Sequence, residues 1–374
     1  MRILHIIATL TGGGAERFVA QLVPRISSRE TESAIMTVYP SEIPLEVETA
    51  SAVDVLAIGR RGRYDAAFLP RMIAAMRKWR PDVVHTHGHN GTYWGRLAAI
   101  AAGVPAIVRT EHLPCDPIAR IRGTAIADRV LNAASAAILT FCAEQGRFLA
   151  AYEHFDPRKL VVIPNGIVHH PVPDAGAIAE GRRRLAIGDG TFAIFVLGNL
   201  HRHKNQRLAI EAIAAIAPEV RERIRLFFVG EGADRAALTQ LVHDRGLASY
   251  VEFLGFRSDV ASILPGADLV LMPSLTEGMP LALLEAMSAG VPVVSTPWIG
   301  AHDLLGDGSL GTLSVDWDPA SVADSVSRSM LDPGATRALA QRAQAVVRRD
   351  YDIAVIAQRH RELYRALLDR KAAA

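Results

Sequence analysis

PSLTEGMPLALLEAMSAGVPVVST, residues 273–296, decides how this chain reads. An apolar run, DLVLMP (268–273), leads into it with the composition of a buried strand. The polar turn SLTEG follows. Pro280 then stands at or next to the first helical residue, where its missing N–H and fixed φ are tolerated. LALLEAMSAG carries a helical pattern to a glycine, and VPVVST (291–296) reads as another strand. Strand, helix and strand in that order make the βαβ unit of a parallel sheet. Glu277 precedes the helix and Glu285 lies inside it, an E-x7-E spacing. At 1.5 Å rise per residue this separates the carboxylates by ~12 Å along the axis. Glycosidase acid/base pairs stand only ~5–9.5 Å apart, so these two do not flank one glycosidic bond. They bracket something longer than one sugar ring, such as a sugar joined to a nucleotide. A dipole-compensating carboxylate and a surface glutamate would explain either residue singly. They leave the glycine, the proline and the apolar context together unexplained.

The same alternation runs outward in both directions. Strands are read at 3–9, 33–39, 53–58, 82–87, 106–112, 136–141 and 160–164, with helices near 15–28, 65–79, 91–102, 118–133 and 143–151. HHPVPDAGA (169–177) breaks the pattern and is the best linker candidate. The pattern then restarts with strands at 192–198, 224–230, 251–255, 268–273 and 291–296. Helices near 205–217, 233–245, 280–289 and 319–330 separate them, and the C-terminal stretch is helical with a break near Arg349–Asp352. The fold class is α/β, two Rossmann-like domains in tandem. Expected boundaries are 1–168, a linker at 169–190, 191–351, and a closing helix at 352–374.

A length of 374 residues suits two domains, and 50% hydrophobic residues fill two cores. Lys+Arg 41 against Asp+Glu 39 is too balanced for a general nucleic-acid binder. Only Lys78, Lys159, Lys204 and Lys371 are lysines, so a well-placed one is conspicuous. Cys115 and Cys142 make no disulfide framework or thiolate metal site by themselves and read as buried thiols. MRILHIIATLTGGG reads as a first strand rather than a signal peptide, and no window approaches a membrane span of ~20 apolar residues. A cytoplasmic protein is expected, with peripheral contact at the inner membrane face also in view.

Three further clusters end strands, where open parallel sheets collect ligands. TGGGAER (11–17) opens a helix; its glycines are either a tight turn or a close approach to phosphate. It is not G-x-G-x-x-G and no acidic residue ends the second strand, which disfavours a dinucleotide. In HTHGHN, His85, His87 and His89 alternate along one side, which raises a metal site against structural or substrate-lining histidines. No metal and no cofactor are expected. In GNLHRHKNQ (198–206), Lys204 stands in the first turn of a helix, unfavourable for the dipole unless an anion such as phosphate compensates. A basic stretch with Arg60, Arg61, Arg63, Arg71, Arg77, Lys78 and Arg80 faces one acid, Asp65, across residues 60–80. It reads either as a solvated helix face or as a contact for an acidic or membrane-surface partner.

With these motifs the chain resembles the large retaining, nucleotide-sugar-dependent glycosyltransferase family of GT-B fold marked by E-x7-E (family 4-like, group 1). GGGAER, DVVHTH, TEH, VVIPNGI (161–167), KNQ, FFVGEG, VEFLGF and the 277–296 run carry the likeness along essentially the whole chain. The resemblance implies two domains facing across a cleft and a C-terminal helix crossing back to the first. It implies that Glu277 contacts the transferred sugar, that backbone N–H groups of Gly278, Met279, Pro280 and Leu281 face sugar and diphosphate, and that Glu285 holds the ribose. Proline has no N–H, so Pro280 enters that span by position alone. The resemblance further implies that Lys204, with Gly13 and Gly14, neutralises the leaving diphosphate, that His112 lies beside the donor sugar, and that Gly230, Phe256 and Arg257 line the base. The family's arginine after the glycine of G-R-x4-K is here Asn199, so that Arg202 or another arginine has to substitute in binding the diphosphate. His85, His87, Arg60, Arg61 and Arg63 fall on the acceptor side. A UDP-sugar donor is expected ahead of a GDP-sugar, with a lipid-linked or polysaccharide acceptor and no nucleic-acid partner. An epimerase or hydrolase of the same fold, and a non-catalytic sugar-nucleotide-binding subunit, are the alternatives.

Overall fold

A computed structural model describes residues 1–11, 13–40, 53–62, 64–112 and 125–373. Gly12, Arg63, Cys115 and the first part of the helix expected at 118–133 lie outside the described residues. The chain forms two compact units, Met1–Val168 with Tyr351–Ala374, and His169–Asp350.

The first unit holds a parallel sheet of seven strands: β1 (Arg2–Ile7), β2 (Glu32–Thr37), β3 (Asp54–Ala57), β4 (Val83–His87), β5 (Ala106–Thr110), β6 (Ala137–Thr140) and β7 (Leu160–Val162). Their order is β3-β2-β1-β4-β5-β6-β7. β1, β4 and β5 are buried along nearly their whole length, which is why they read as continuous apolar runs. The second unit repeats the scheme with β8 (Phe192–Leu197), β9 (Ile224–Val229), β10 (Val251–Gly255), β11 (Leu269–Met272), β12 (Val293–Ser295) and β13 (Thr312–Leu313), ordered β10-β9-β8-β11-β12-β13. Both sheets reverse their winding beside the first strand, between β1 and β4 and between β8 and β11. At those points the connections diverge and leave a crevice at the carboxyl ends.

Helices cover the sheets where the sequence period predicts them. The helix Gly14–Ile26 buries Phe18, Val19, Leu22, Val23 and Ile26 on one face. The helix His89–Ala102 lies close on β1 because Gly91 allows it: a Cβ there would sit 2.9 Å from the Ile6 carbonyl oxygen.

The C-terminal stretch breaks as expected, into helices Pro333–Asp350 and Ile353–Ala372. Asp352 caps the second by accepting from the Ala354 N–H at 2.7 Å. This helix buries Ile356, Ala357, His360, Tyr364 and Leu367 and packs on Gly14–Ile26. Its start is pinned by PNGI: Ile167 N–H donates to Tyr351 O and Ile353 N–H to Ile167 O, both at 2.9 Å. Gly166 permits that approach, since a Cβ would meet Ile356 Cγ1 at 2.8 Å.

Besides the short helices Pro218–Arg221, Val260–Ile263 and Ala301–Leu305, two features depart from the sequence reading. The strand β13 was not foreseen, because two residues carry no periodicity. The stretch expected as a linker contains the helix Ala175–Arg184, capped by Asp174, and belongs to the second unit. Arg182 ties it down through Asp268 at 2.9 Å, and Gly181 packs against Gly266. Its polar composition hid the helix, because little of its surface is buried.

Candidate functional site

In the second unit the carboxyl ends of β8 and β11 bring Lys204 and Glu277 together. Lys204 Nζ donates to Glu277 Oε1 at 2.7 Å. The same oxygen accepts from Ser274 Oγ at 2.6 Å. The carboxylate is buried and the ammonium group largely so. Two backbone devices set this geometry. Residues Arg202–Lys204 form one 3-10 turn, and Asn205, in the left-handed region at φ 50°, redirects the chain into the helix Gln206–Ala215. The Leu275 N–H then donates to His203 O at 2.9 Å, tying the two loops side by side.

Ser274, absent from the sequence reading, anchors the second loop. Its carbonyl accepts from Thr296 Oγ1 at 2.6 Å and from Trp317 Nε1 at 2.9 Å. A serine between a strand and the TEG turn was the available signal, but its partners lie 22 and 43 residues away. Gly278 and Met279 are half-buried and lead through Pro280 into the eight-residue helix Leu281–Ser288, on which Glu285 is half-buried.

β9 is followed by Gly230, whose φ is 149°; a Cβ there would lie 2.1 Å from the Gly198 carbonyl oxygen. Only glycine lets the 198–200 loop and the β9 end touch. The Asn199 carbonyl accepts from Gln206 Nε2 at 2.9 Å, while the Arg202 side chain is exposed. Phe256 stands 79% exposed and Arg257 forms a two-pronged pair with Asp259 at 2.7 and 2.8 Å. That pair raises the pKa of the guanidinium and lowers that of the carboxyl.

In the first unit Gly13 caps the helix Gly14–Ile26 after β1, and nothing lies within 4 Å of a Cβ built on Gly14. The same unit holds a layer of histidines, of which the sequence reading singles out His85, His87 and His112 but not His5. His5 from β1 and His85 from β4 are paired in register. His5 Nδ1 and His87 Nε2 stand 3.0 Å apart, and His87 Nδ1 and His112 Nε2 2.9 Å apart. His85 uses both ring nitrogens, one on Tyr364 OH at 2.6 Å and one on Thr110 Oγ1 at 2.7 Å.

His85 and His87 are fully buried, so neither lines an acceptor surface, and that expectation is corrected. Nor do three histidines share one side. His89 starts the helix His89–Ala102 and stacks edge-on against Tyr93. His5, His85 and His87 instead bring nitrogens within 4.8 Å of one another, the candidate metal-holding group among the described residues. A cation there would have to displace the His5–His87 hydrogen bond. Burial drives His5 down to about 3 and His112 to about 4, and lowers His85 and His87 strongly, so the rings are neutral. For His112 the neighbouring Glu111 opposes that shift. Glu111 is itself bonded to buried Arg109, which also grips Glu153 at 2.6 Å. This network holds the strand end that carries His112.

Two members of the basic stretch are taken up by the fold. Arg60 lies over the rings of Phe68 and Trp94, and Arg71 is paired with Asp65 at 2.6 Å. Arg61, Arg77, Lys78 and Arg80 stay exposed. No helix among the described residues is long and apolar enough to cross a membrane.

Residues 12–170 match the family model Glycosyltransferase Family 4, and residues 178–346 match Glycosyl transferases group 1. The chain is 29% identical over 368 residues to a D-inositol 3-phosphate glycosyltransferase of Stackebrandtia nassauensis, covering 86% of this chain and 82% of that one. It is 25% identical over 327 residues to the 2-deoxystreptamine glucosyltransferase of Streptomyces kanamyceticus, 83% of each. It is 30% identical over 239 residues to the UDP-Gal:alpha-D-GlcNAc-diphosphoundecaprenol alpha-1,3-galactosyltransferase of Escherichia coli, covering 62% of this chain and 61% of that one. Anabaena Alr3699/HepE, solved in complex with UDP-glucose, superposes with a TM-score of 0.86 at 21% identity over 98% of this chain and 100% of that one. The fold is that of GT-B glycosyltransferases.

Proposed function

The chain joins a Glycosyltransferase Family 4 half to a group 1 half on a GT-B fold, and from that premise we propose that it moves a sugar from a nucleoside-diphosphate sugar to a hydroxyl acceptor. The donor is a UDP-sugar ahead of a GDP-sugar, the anomeric configuration is retained, and no metal takes part. The acceptor belongs to polysaccharide, lipopolysaccharide or glycolipid assembly, and the enzyme works in the cytoplasm at the inner membrane face. A relative whose name specifies a diphosphoundecaprenol acceptor supports the lipid-linked class.

The observation that carries the reading is the Lys204–Glu277 pair at the carboxyl ends of β8 and β11. A lysine held by one carboxylate at a strand-end crevice is a compact cation ready to meet a diphosphate. Loss of the diphosphate leaves an oxocarbenium-like sugar, and catalysis rests on stabilising the departing charge. Lys204, with the N–H groups of Gly278, Met279 and Leu281 before the helix Leu281–Ser288, supplies that stabilisation. Glu277 contacts the sugar, Glu285 the ribose, and Phe256 with Arg257 the base. Arg202 takes the place of the arginine that Asn199 lacks. Gly13, Gly14 and His112 are the ligand contacts contributed by the first unit.

Lys204→Ala and Glu285→Ala are each expected to lower nucleotide release from UDP-sugars by roughly 100-fold or more. Full activity in both variants overturns the assignment. Sustained release of free or epimerised sugar without any acceptor would point to a hydrolase or epimerase instead. A thermal-shift panel of nucleotide sugars identifies base and sugar together, because a ligand at about 100 times its Kd adds ~2.7 kcal/mol.

A further inference from the structure

His5, His87 and His112 form a row of three imidazoles joined by two hydrogen bonds, His5 Nδ1 to His87 Nε2 and His87 Nδ1 to His112 Nε2. A neutral imidazole has one N–H and one lone pair. His87 spends both nitrogens, so the row can point in only two directions. Either His5 donates to His87 and His87 to His112, or both bonds run the other way. In the second arrangement the hydrogen of His5 sits on Nε2. That atom is buried and has no hydrogen-bond partner among the described residues. An orphaned N–H in the interior is the costlier defect; a bare lone pair is more readily tolerated. His85 imposes no direction of its own, since both its partners are hydroxyls able to donate or accept.

We propose that His5, acting through His87, holds His112 as its Nδ1–H tautomer, so that the edge of His112 turned away from His87 offers a ligand oxygen a hydrogen-bond donor and no lone pair. The low basicity that burial gives all three rings keeps the row neutral and the rule intact. His5 and His87 are positioning residues. His112 cannot then accept a proton at Nδ1, and its contribution to sugar transfer is donation to an oxygen of the donor sugar or of the departing diphosphate. The role at the ligand rests on the functional reading above; the tautomer does not.

The test is long-range 1H–15N correlation spectroscopy of the full chain labelled with 15N-histidine, with His112 assigned through His112→Gln. His112 Nδ1 is expected at the pyrrole-type shift and Nε2 at the pyridine-type shift, with the Nδ1–H form in roughly tenfold excess or more. A pyrrole-type Nε2 on His112 overturns the proposal whatever the activity. His5→Phe removes the donor at the head of the row. It should bring the Nε2–H form of His112 into view and lower kcat about tenfold with KM changed less than about twofold. His5→Asn restores an N–H near the position of Nδ1, and most of the lost kcat should return with it. Unchanged kcat in His5→Phe overturns the claim that the row directs His112. A correct tautomer in a protein that turns over no nucleotide sugar leaves the assignment standing and overturns only the functional reading.

Discussion

Lys204 and Glu277 test whether a polar contact serves the fold or the reaction. Lys204→Met leaves a buried carboxylate held, among the described residues, by Ser274 alone, and about 1–3 kcal/mol of stability should go. Adding Glu277→Gln removes the stranded charge, so the double variant should recover part of that loss in urea unfolding. Neither variant should turn over donor. Recovery of activity with recovery of stability would show that the pair is structural only. The histidines of the first unit set a pH dependence. His5 titrates near 3 and His112 and His360 near 4 in the fold, against about 6.5 unfolded. Between those values the unfolded chain binds protons that the folded chain refuses. The stabilisation is therefore complete above pH ~6.5 and is lost as pH falls towards 4, about 1 kcal/mol per histidine by pH 5.5. Hydrogen exchange should show β1 and β4 losing protection between pH 7.5 and 5.5 while β8 and β11 hold; equal loss in both units would contradict this.

At the scale of elements, glycines separate structural from ligand-directed turns. Gly230→Ala drives a Cβ into the Gly198 carbonyl oxygen at a positive φ, and Gly91→Ala drives one into the Ile6 carbonyl oxygen. Each should cost about 1–3 kcal/mol or more in thermal unfolding. Gly14→Ala meets open space at the start of a helix, so stability should hold or rise slightly while donor KM increases. A Gly14→Ala protein with unaltered KM would remove that turn from the site. The buried strands were legible because both of their faces are covered, which makes them continuous apolar runs. The helix Ala175–Arg184 was not legible. It is fixed by Asp174, Arg182 and Gly181 rather than by an apolar face. Its contacts are set by the register of a short polar helix, which no period reports.

For the whole molecule, the first unit is discontinuous: it needs Tyr351–Ala374 from the far end of the chain. Residues 169–350 carry a core of their own and should unfold cooperatively as an isolated fragment. Residues 1–168 alone lack Ile356, His360 and Tyr364, which bury the outer face of Gly14–Ile26 and close the histidine layer. That fragment should lack a cooperative thermal transition and regain one when the 351–374 segment is supplied. A sharp transition in 1–168 alone would refute this. By itself the sequence determined the α/β class, the two-sheet organisation, the strand-end loops and the glutamates of E-x7-E, because each is written in local periodicity or in residues a few positions apart. Only the tertiary structure decided that Lys204 reaches Glu277, that Ser274 braces them, and that His85 and His87 are interior groups joined to His5 and Tyr364. Those pairings span 73, 82 and 279 residues of chain, and sheet order and helix packing, which bring such partners together, leave no local trace in composition or spacing.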